Sequence, residues 1–377
     1  MVALAEPRLP LSTVAAPTPT SIATQTPTPT TARDRFVDLL RAGSLMVVVA
    51  WHWVFTVVIW KFDGPHASNP LGSTRGLWLL TWLFQVMPLF FFVGGFVHSR
   101  TWTPGRYGSF LRKRLGRLVV PAAAAIAAVG AGGLLANELL DSPPWLPRAV
   151  ILILSPLWFL GVYVLLVFAT PIAAAAHRRF GELAVVALAG AAAVVDVLRF
   201  RFETPYASVL AWIVVWGFAH QFGFHYERLV AAPRRFAWCL VLGGAYALGA
   251  LTNMGHYPKS MVGVPGEAIS NMAPPTVCIV ALCALQVGVA LLIRDAALRA
   301  LDRPRVSRVV GWVSENSMPL YLWHGVGLGI AYGTLRFVAG ITVPEETTSA
   351  WWLQRPLWIL APALATRPLL RLARRLG

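Results

Sequence analysis

The chain of 377 residues is 57% hydrophobic, only 13% charged, and carries a net charge of +16. Soluble domains usually carry about twice that charged fraction, so a string of soluble domains is excluded in favour of one helical membrane domain. The basic excess sits in short loops between apolar runs, which excludes a nucleic-acid groove, where cations gather on one face among aromatics.

Residues 1–32 are rich in Ala, Pro and Thr ("APTPTSIATQTPTPTT") and lack the apolar core of a signal peptide. Such a segment buries little, so a disordered tail is expected there, ahead of a single membrane domain over 33–377. Ten apolar runs follow, at 38–60, 76–98, 116–136, 149–172, 181–199, 207–225, 236–253, 274–293, 316–338 and 351–371. Each is near the roughly 20 residues that a helix needs to cross a bilayer. The expected fold is all-α and polytopic, with about ten transmembrane helices.

The loops alternate in charge. Arg33 and Arg35 precede the first run, and Arg100, Arg106, Arg112, Lys113, Arg114 and Arg117 separate the second from the third. Arginines likewise follow runs four, six and eight and close the chain at Arg371, Arg374 and Arg375. Loops 137–148, 254–273 and 339–350 are poor in cations, and the last holds Glu345 and Glu346. One sign on one side throughout implies that both termini are cytoplasmic, in a multi-pass protein of the cell membrane.

In the first run, "RAGSLMVVVAWH" starts at Arg41 and ends at His52. Eleven residues are about 20° past three helical turns, so both side chains leave one face, roughly 16 Å apart. Asp38, three residues before Arg41, shares that face. A snorkelling arginine and a buried, hydrogen-bonded histidine would explain the two singly. Ionisable groups at membrane depth mark function more often. His98 closes the second run after "FFFVGG", where Gly94 and Gly95 permit close backbone approach. Gln85, His220, Gln221 and Gln286 read as interhelical hydrogen-bond glue, and Asn271 as a cap to the eighth run.

In the ninth run, "ENSMPLYLWHG" puts Tyr321 and His324 on one helix face, with Glu315, Asn316 and Ser317 at its cytoplasmic start. With that start on the cytoplasmic side, His324 and His52 can meet at moderate depth; alone, His324 is as readily structural as functional. Tryptophans such as Trp60, Trp145 and Trp351 near run ends read as an interfacial belt. Cys239, Cys278 and Cys283 lie in apolar segments and read as buried small hydrophobes. The scattered histidines, without HExxH or CxxC, give no expectation of a metal.

The stretches "RFVDLLRAGSLMVVVAWHWVF", "MPLFFFVGGF", "RLGRLVVP", "PLWFLGVYVLLV" and "SMPLYLWHG" together resemble the acyltransferase-3 family of integral membrane O-acyltransferases, over about 33–375. The most specific element is the arginine, ten residues, histidine pattern, with Asp38 before it and the RxxR of Arg114 and Arg117 after the second run. The resemblance implies transfer of an acyl group, often acetyl, to a hydroxyl of a sugar, polysaccharide, glycolipid or secondary metabolite. It also implies acyl-CoA as co-substrate, with no resident cofactor.

On that footing His52 is the expected general base, because an imidazole suits the proton step. Arg41 is expected to hold the donor carbonyl or the developing oxyanion, with Asp38 orienting it. Arg114 and Arg117 suit the phosphates of the donor, although topology alone also makes that loop basic. His324, Tyr321 and Ser317 are candidates for substrate binding. The partners expected are membrane lipid, acyl-CoA and a hydroxyl-bearing acceptor, with no nucleic acid. The rival readings are a transporter or flippase for a glycolipid or small molecule, since intramembrane His and Arg also serve proton relays, and a non-catalytic membrane scaffold. Inverted repeats would favour the transporter, and none is evident.

Overall fold

The computed structural model describes residues 34–342, 344 and 347–376. The tail 1–32, Arg33 and the loop carboxylates Glu345 and Glu346 lie outside the described residues, as does the Arg375 side chain.

Helix α1 spans Arg35–Phe55 and is followed by an antiparallel hairpin, β1 Val57–Lys61 and β2 Gly64–Ser68. Next come α2 Leu79–Phe84, α3 Met87–Thr101, α4 Tyr107–Leu139 and α5 Leu146–Leu154. A 3-10 turn over Ser155–Leu157 leads into α6 Trp158–Phe180, then α7 Glu182–Phe200, α8 Ala207–Gly223, α9 Tyr226–Ala231 and α10 Arg234–Met254. Helix α11 spans Val277–Leu301, α12 Pro304–Glu315 and α13 Ser317–Gly333, which ends in a π-helical turn at Thr334–Val338. Helix α14, Ser349–Leu376, completes the set.

Every expected apolar run falls on a helical segment, and seven of these segments are long and apolar enough to cross a membrane. Of the others, α8 and α13 have 17 residues each, and α14 carries three internal prolines and several arginines. Large apolar side chains such as Leu134, Ile151, Ile172, Leu183 and Leu242 are exposed on many helices. A protein in water rarely presents apolar surface so widely, whereas a bilayer favours it.

The fourth run is broken by the 3-10 turn at Ser155–Leu157, and three further departures from expectation shape the site. The first run does not stay helical to 60, because Val57–Lys61 pairs with Gly64–Ser68 across the two-residue turn Phe62–Asp63. The second run breaks at Gln85 and Val86, and Pro88 sits in the first turn of α3, where a proline is tolerated. The basic stretch before the ninth run is not a loop: it contains α12.

The main core is built on α3, α8 and α11, with Phe91, Phe92, Trp216, Ile279 and Leu282 almost wholly buried. Cys278 and Cys283 are buried within it, but Cys239 is exposed on α10. Gln286 ties α11 to the break between α2 and α3 through Gln85 O at 2.9 Å. The start of α11 is capped by Thr276, which Asn271 orients through a 2.8 Å hydrogen bond rather than capping the helix itself.

Close approach of α3 and α8 depends on Gly95 and Gly223. A Cβ on Gly95 would overlap the His220 carbonyl, and one on Gly223 would overlap that of Phe92. Gly95→Ala is therefore expected to cost about 1–3 kcal/mol, the range for overpacking a close contact. Gly43→Ala, where nothing lies within 4 Å of the new Cβ, is expected to leave stability unchanged or slightly raised. Thermal unfolding of both variants in detergent checks the contrast.

Candidate active site

Helix α1 and the α12–α13 segment run side by side in the same direction. At one end, Arg35 Nη1 bonds Asp302 Oδ1 at 3.0 Å. At the other, His52 meets His324. Between these points Ala42, Leu45, Val49 and Trp53 pack with Val313, Leu320 and Leu370. Trp53 Nε1 also donates to the carbonyl of His324 at 3.1 Å. Apolar packing spaced at i, i+3, i+4 thus fixes the register in which the two imidazoles face each other.

His52 Nδ1 lies 2.8 Å from His324 Nε2, with the ring planes 5° apart. The bond network assigns the protons. His324 Nδ1 faces two carbonyls, Tyr321 O at 2.8 Å and Leu320 O at 3.2 Å. Carbonyls only accept, so Nδ1 carries the proton and Nε2 of a neutral ring is the acceptor. His52 Nδ1–H then donates to His324, which leaves the lone pair of His52 on Nε2. That nitrogen has no hydrogen-bond partner among the described residues; His52 as a whole is partly exposed, while His324 is 1% exposed. The arrangement leaves a ring nitrogen with proton-accepting capacity unbonded and holds the ring by its other edge.

The cationic end lies three turns back along α1. Arg41 Nη2 bonds Asp38 Oδ1 at 3.1 Å, and Arg41 Nε is buried with no hydrogen-bond partner. Leaving such a donor unmet costs on the order of 1–3 kcal/mol, so an acceptor from a bound molecule would be favoured there. Arg41 and Arg117 are both close enough to Arg114 for their charges to act on it. Arg114 Nη2 is anchored on Thr101 Oγ1 at 2.6 Å. The arginines foreseen as donor ligands are therefore gathered around one end of α1, and the two histidines around the other.

An aromatic wall joins the two ends. Tyr163 stands by Arg41 and Arg114. Its ring centroid is 5.9 Å from Phe159, which in turn is 5.6 Å from Tyr321. Tyr321 donates its hydroxyl to Pro156 O at 2.8 Å, a carbonyl made available by the 3-10 turn. A narrow cleft beside His324, lined by Ala125, Val129, Ile153 and Leu154, opens between α4, α5 and α13. Ser317 lies two turns before His324 and has no hydrogen bond to the pair.

A second buried histidine pair carried only a fastening role in the sequence. His98 Nδ1 is 2.9 Å from His220 Nε2, and Tyr163 Oη is 3.4 Å from His98 Nε2. Thr170 Oγ1 lies 3.3 Å from His98 Nδ1. The signal was Gly95, one turn before His98. A third pair, His177 and His225, meets at 3.3 Å. Burial, the neighbouring His177 and the Arg228 charge together hold His225 below the ordinary histidine range despite Glu182. Among the described residues no group of three or more His, Cys, Asp or Glu is placed to hold a metal ion.

His324→Asn is expected to slow any reaction based on His52 by roughly tenfold, the worth of one net hydrogen bond. Turnover of the variant against an unchanged thermal midpoint checks this.

A family model described as an acyltransferase domain, that of the acyltransferase-3 family, matches residues 34–366 of the chain. No curated protein and no solved structure matches it.

Proposed function

The chain belongs to the acyltransferase-3 family, and from that premise we propose that it moves a short acyl group from acyl-CoA to a hydroxyl of a sugar, glycolipid or secondary metabolite. The observation that carries the reading is the fixed tautomer of the His52–His324 pair, which leaves His52 Nε2 as a free base. In this reading the acceptor hydroxyl gives its proton to His52 Nε2 as its oxygen attacks the thioester carbonyl. The tetrahedral oxyanion collapses, and the carbon–sulfur bond breaks. The departing thiolate takes the proton back from the His52 imidazolium, leaving an ester and free coenzyme A. His324 holds the ring and shares the charge formed on it, as the orienting member of a catalytic triad does.

Neither role expected of Arg41, at the donor carbonyl or at the oxyanion, suits its distance from His52; a grip on the far end of the donor does. Arg41 and His52 are separated by about 16 Å of unbroken helix, and helical side chains lean toward the N-terminus, so the guanidinium points away from the imidazole. A flexible pantetheine arm is long enough to reach from one group to the other. Arg41, kept in place by Asp38, would grip the phosphate end with Arg114 and Arg117, since arginine forks match phosphate oxygens. Tyr163, Phe159 and Tyr321 would flank the arm.

The charge pattern supports about ten crossings with both termini cytoplasmic, which puts the arginine end in the cytosol and the hairpin on the opposite side. Reporter fusions at residues 66 and 259 test this: an outward-active reporter is expected to respond at both, and cytosolic activity at either would reverse the topology. Release of free coenzyme A from acetyl-CoA by the purified protein, dependent on an added acceptor extract, tests the reaction. A transporter would release none.

A further inference from the structure

At the hairpin end, three rings and one cation form a compact group that the transfer step does not use. Trp60 of β1 meets Trp145 edge-on at 5.4 Å and Phe337 edge-on at 5.6 Å. Trp145 and Phe337 lie nearly parallel, 18° apart, at 6.3 Å. The Arg336 guanidinium sits 5.3 Å from the Trp60 ring and 5.7 Å from the Phe337 ring.

Local structure builds this group. Phe337 and Arg336 lie on the π-helical turn at Thr334–Val338, a rare conformation that concentrates at functional sites. Gly64 lets the hairpin lie against Trp145, since a Cβ there would be 2.9 Å from that of the tryptophan. Trp60 Nε1 donates to Tyr332 Oη at 3.2 Å, and Tyr332 donates to Val58 O at 3.1 Å.

The group stands above the histidine pair on the same two segments. Tyr332, to which Trp60 bonds, follows His324 by eight residues of α13, a helical rise of about 12 Å. Arg336 has no ion-pair partner among the described residues, and its Nε is buried without a hydrogen bond. Asp63, the carboxylate of the hairpin turn, is engaged by Arg148 at 2.5 Å and by His66 at 2.8 Å. Phe337 is 61% exposed. Tryptophans that merely mark the interface need neither edge-to-face packing nor an arginine over their rings that no described carboxylate pairs.

We propose that Trp60, Trp145, Phe337 and Arg336 form a remote acceptor subsite that stacks a sugar ring and pairs its negatively charged substituent with Arg336. Aromatic faces take the apolar face of a sugar ring, and a guanidinium fork takes a carboxylate or phosphate. The subsite rests on the reading of the histidine pair as the place of transfer, and it selects acidic glycosyl acceptors whose reacting hydroxyl lies about two or three ring lengths from the charge.

Binding without any donor tests the subsite separately from the transfer reaction. The protein, in nanodiscs of phosphatidylcholine, is titrated calorimetrically with a glucuronate-containing tetrasaccharide and with the same tetrasaccharide after reduction of its carboxyl groups. The acidic probe is expected to bind at least about tenfold tighter than the neutral one. Arg336→Gln is expected to remove that preference, and Phe337→Ala to weaken both probes. Arg336→Gln must keep the wild-type thermal midpoint. Equal binding of the two probes, no binding of either, or a preference that survives Arg336→Gln would overturn the subsite. So would an Arg336→Gln effect confined to retention of phosphatidylglycerol, read by native mass spectrometry, because the cation would then hold a lipid phosphate.

Discussion

Replacing His52 by alanine is expected to lower acyl transfer by about 10²–10⁴-fold, the usual contribution of a positioned general base. The loss should fall on kcat, with the KM for acyl-CoA little changed, because the donor is gripped three turns away at Arg41. His52→Gln is expected to be equally inactive: its amide can keep the hydrogen bond to His324 Nε2 but cannot accept a proton. The stability cost should be small, since His52 is only partly buried. Steady-state kinetics with acetyl-CoA, alongside insertion and thermal stability of each variant, separates lost chemistry from lost folding.

Replacing Arg41 by alanine is expected to act on the donor instead. A hydrogen bond to a charged group is worth about 1.5–3 kcal/mol, which corresponds to roughly a 10–100-fold fall in kcat/KM. It should appear as a raised KM for acyl-CoA. Arg41→Lys keeps the charge but loses the planar fork, so it is expected to recover only part of the loss. Asp38→Asn frees the guanidinium from its 3.1 Å partner and is expected to give a milder rise in the same constant. A pantetheine thioester without the nucleotide phosphates provides the control, since Arg41→Ala should barely affect it.

The helical architecture was legible because bilayer-length apolar runs have few alternatives in sequence. The exceptions have local causes. "VVIWK" is as apolar as the helix before it, but its β-branched and aromatic residues pair across the turn that ends at Gly64. Helix α12 was hidden because Arg303, Arg305 and Arg308 read as loop charge, although its valines at 306, 309, 310 and 313 recur at helical spacing.

The site was legible in its members rather than in its contacts. Arg41, Asp38 and His52 could be placed on one helix face from spacing alone. Topology allowed His52 and His324 to meet, but the contact itself, across 272 residues, depends on the packing of α1 against α12–α13 and has no local signature. The same holds for His98 and His220, 122 residues apart, where only the glycines before His98 pointed to a close crossing. The free nitrogen of His52 follows from carbonyls one turn behind His324, which no reading of side-chain pattern would supply.

Mass spectrometry of glycans, lipids and small metabolites from cells carrying the wild-type gene, no gene, or the His52→Ala gene at matched membrane levels tests the central claim most directly. A product heavier by one acyl unit is expected with the wild type and in neither of the other two. The same heavier product persisting with His52→Ala, or no mass difference between wild type and gene-free cells, would contradict it.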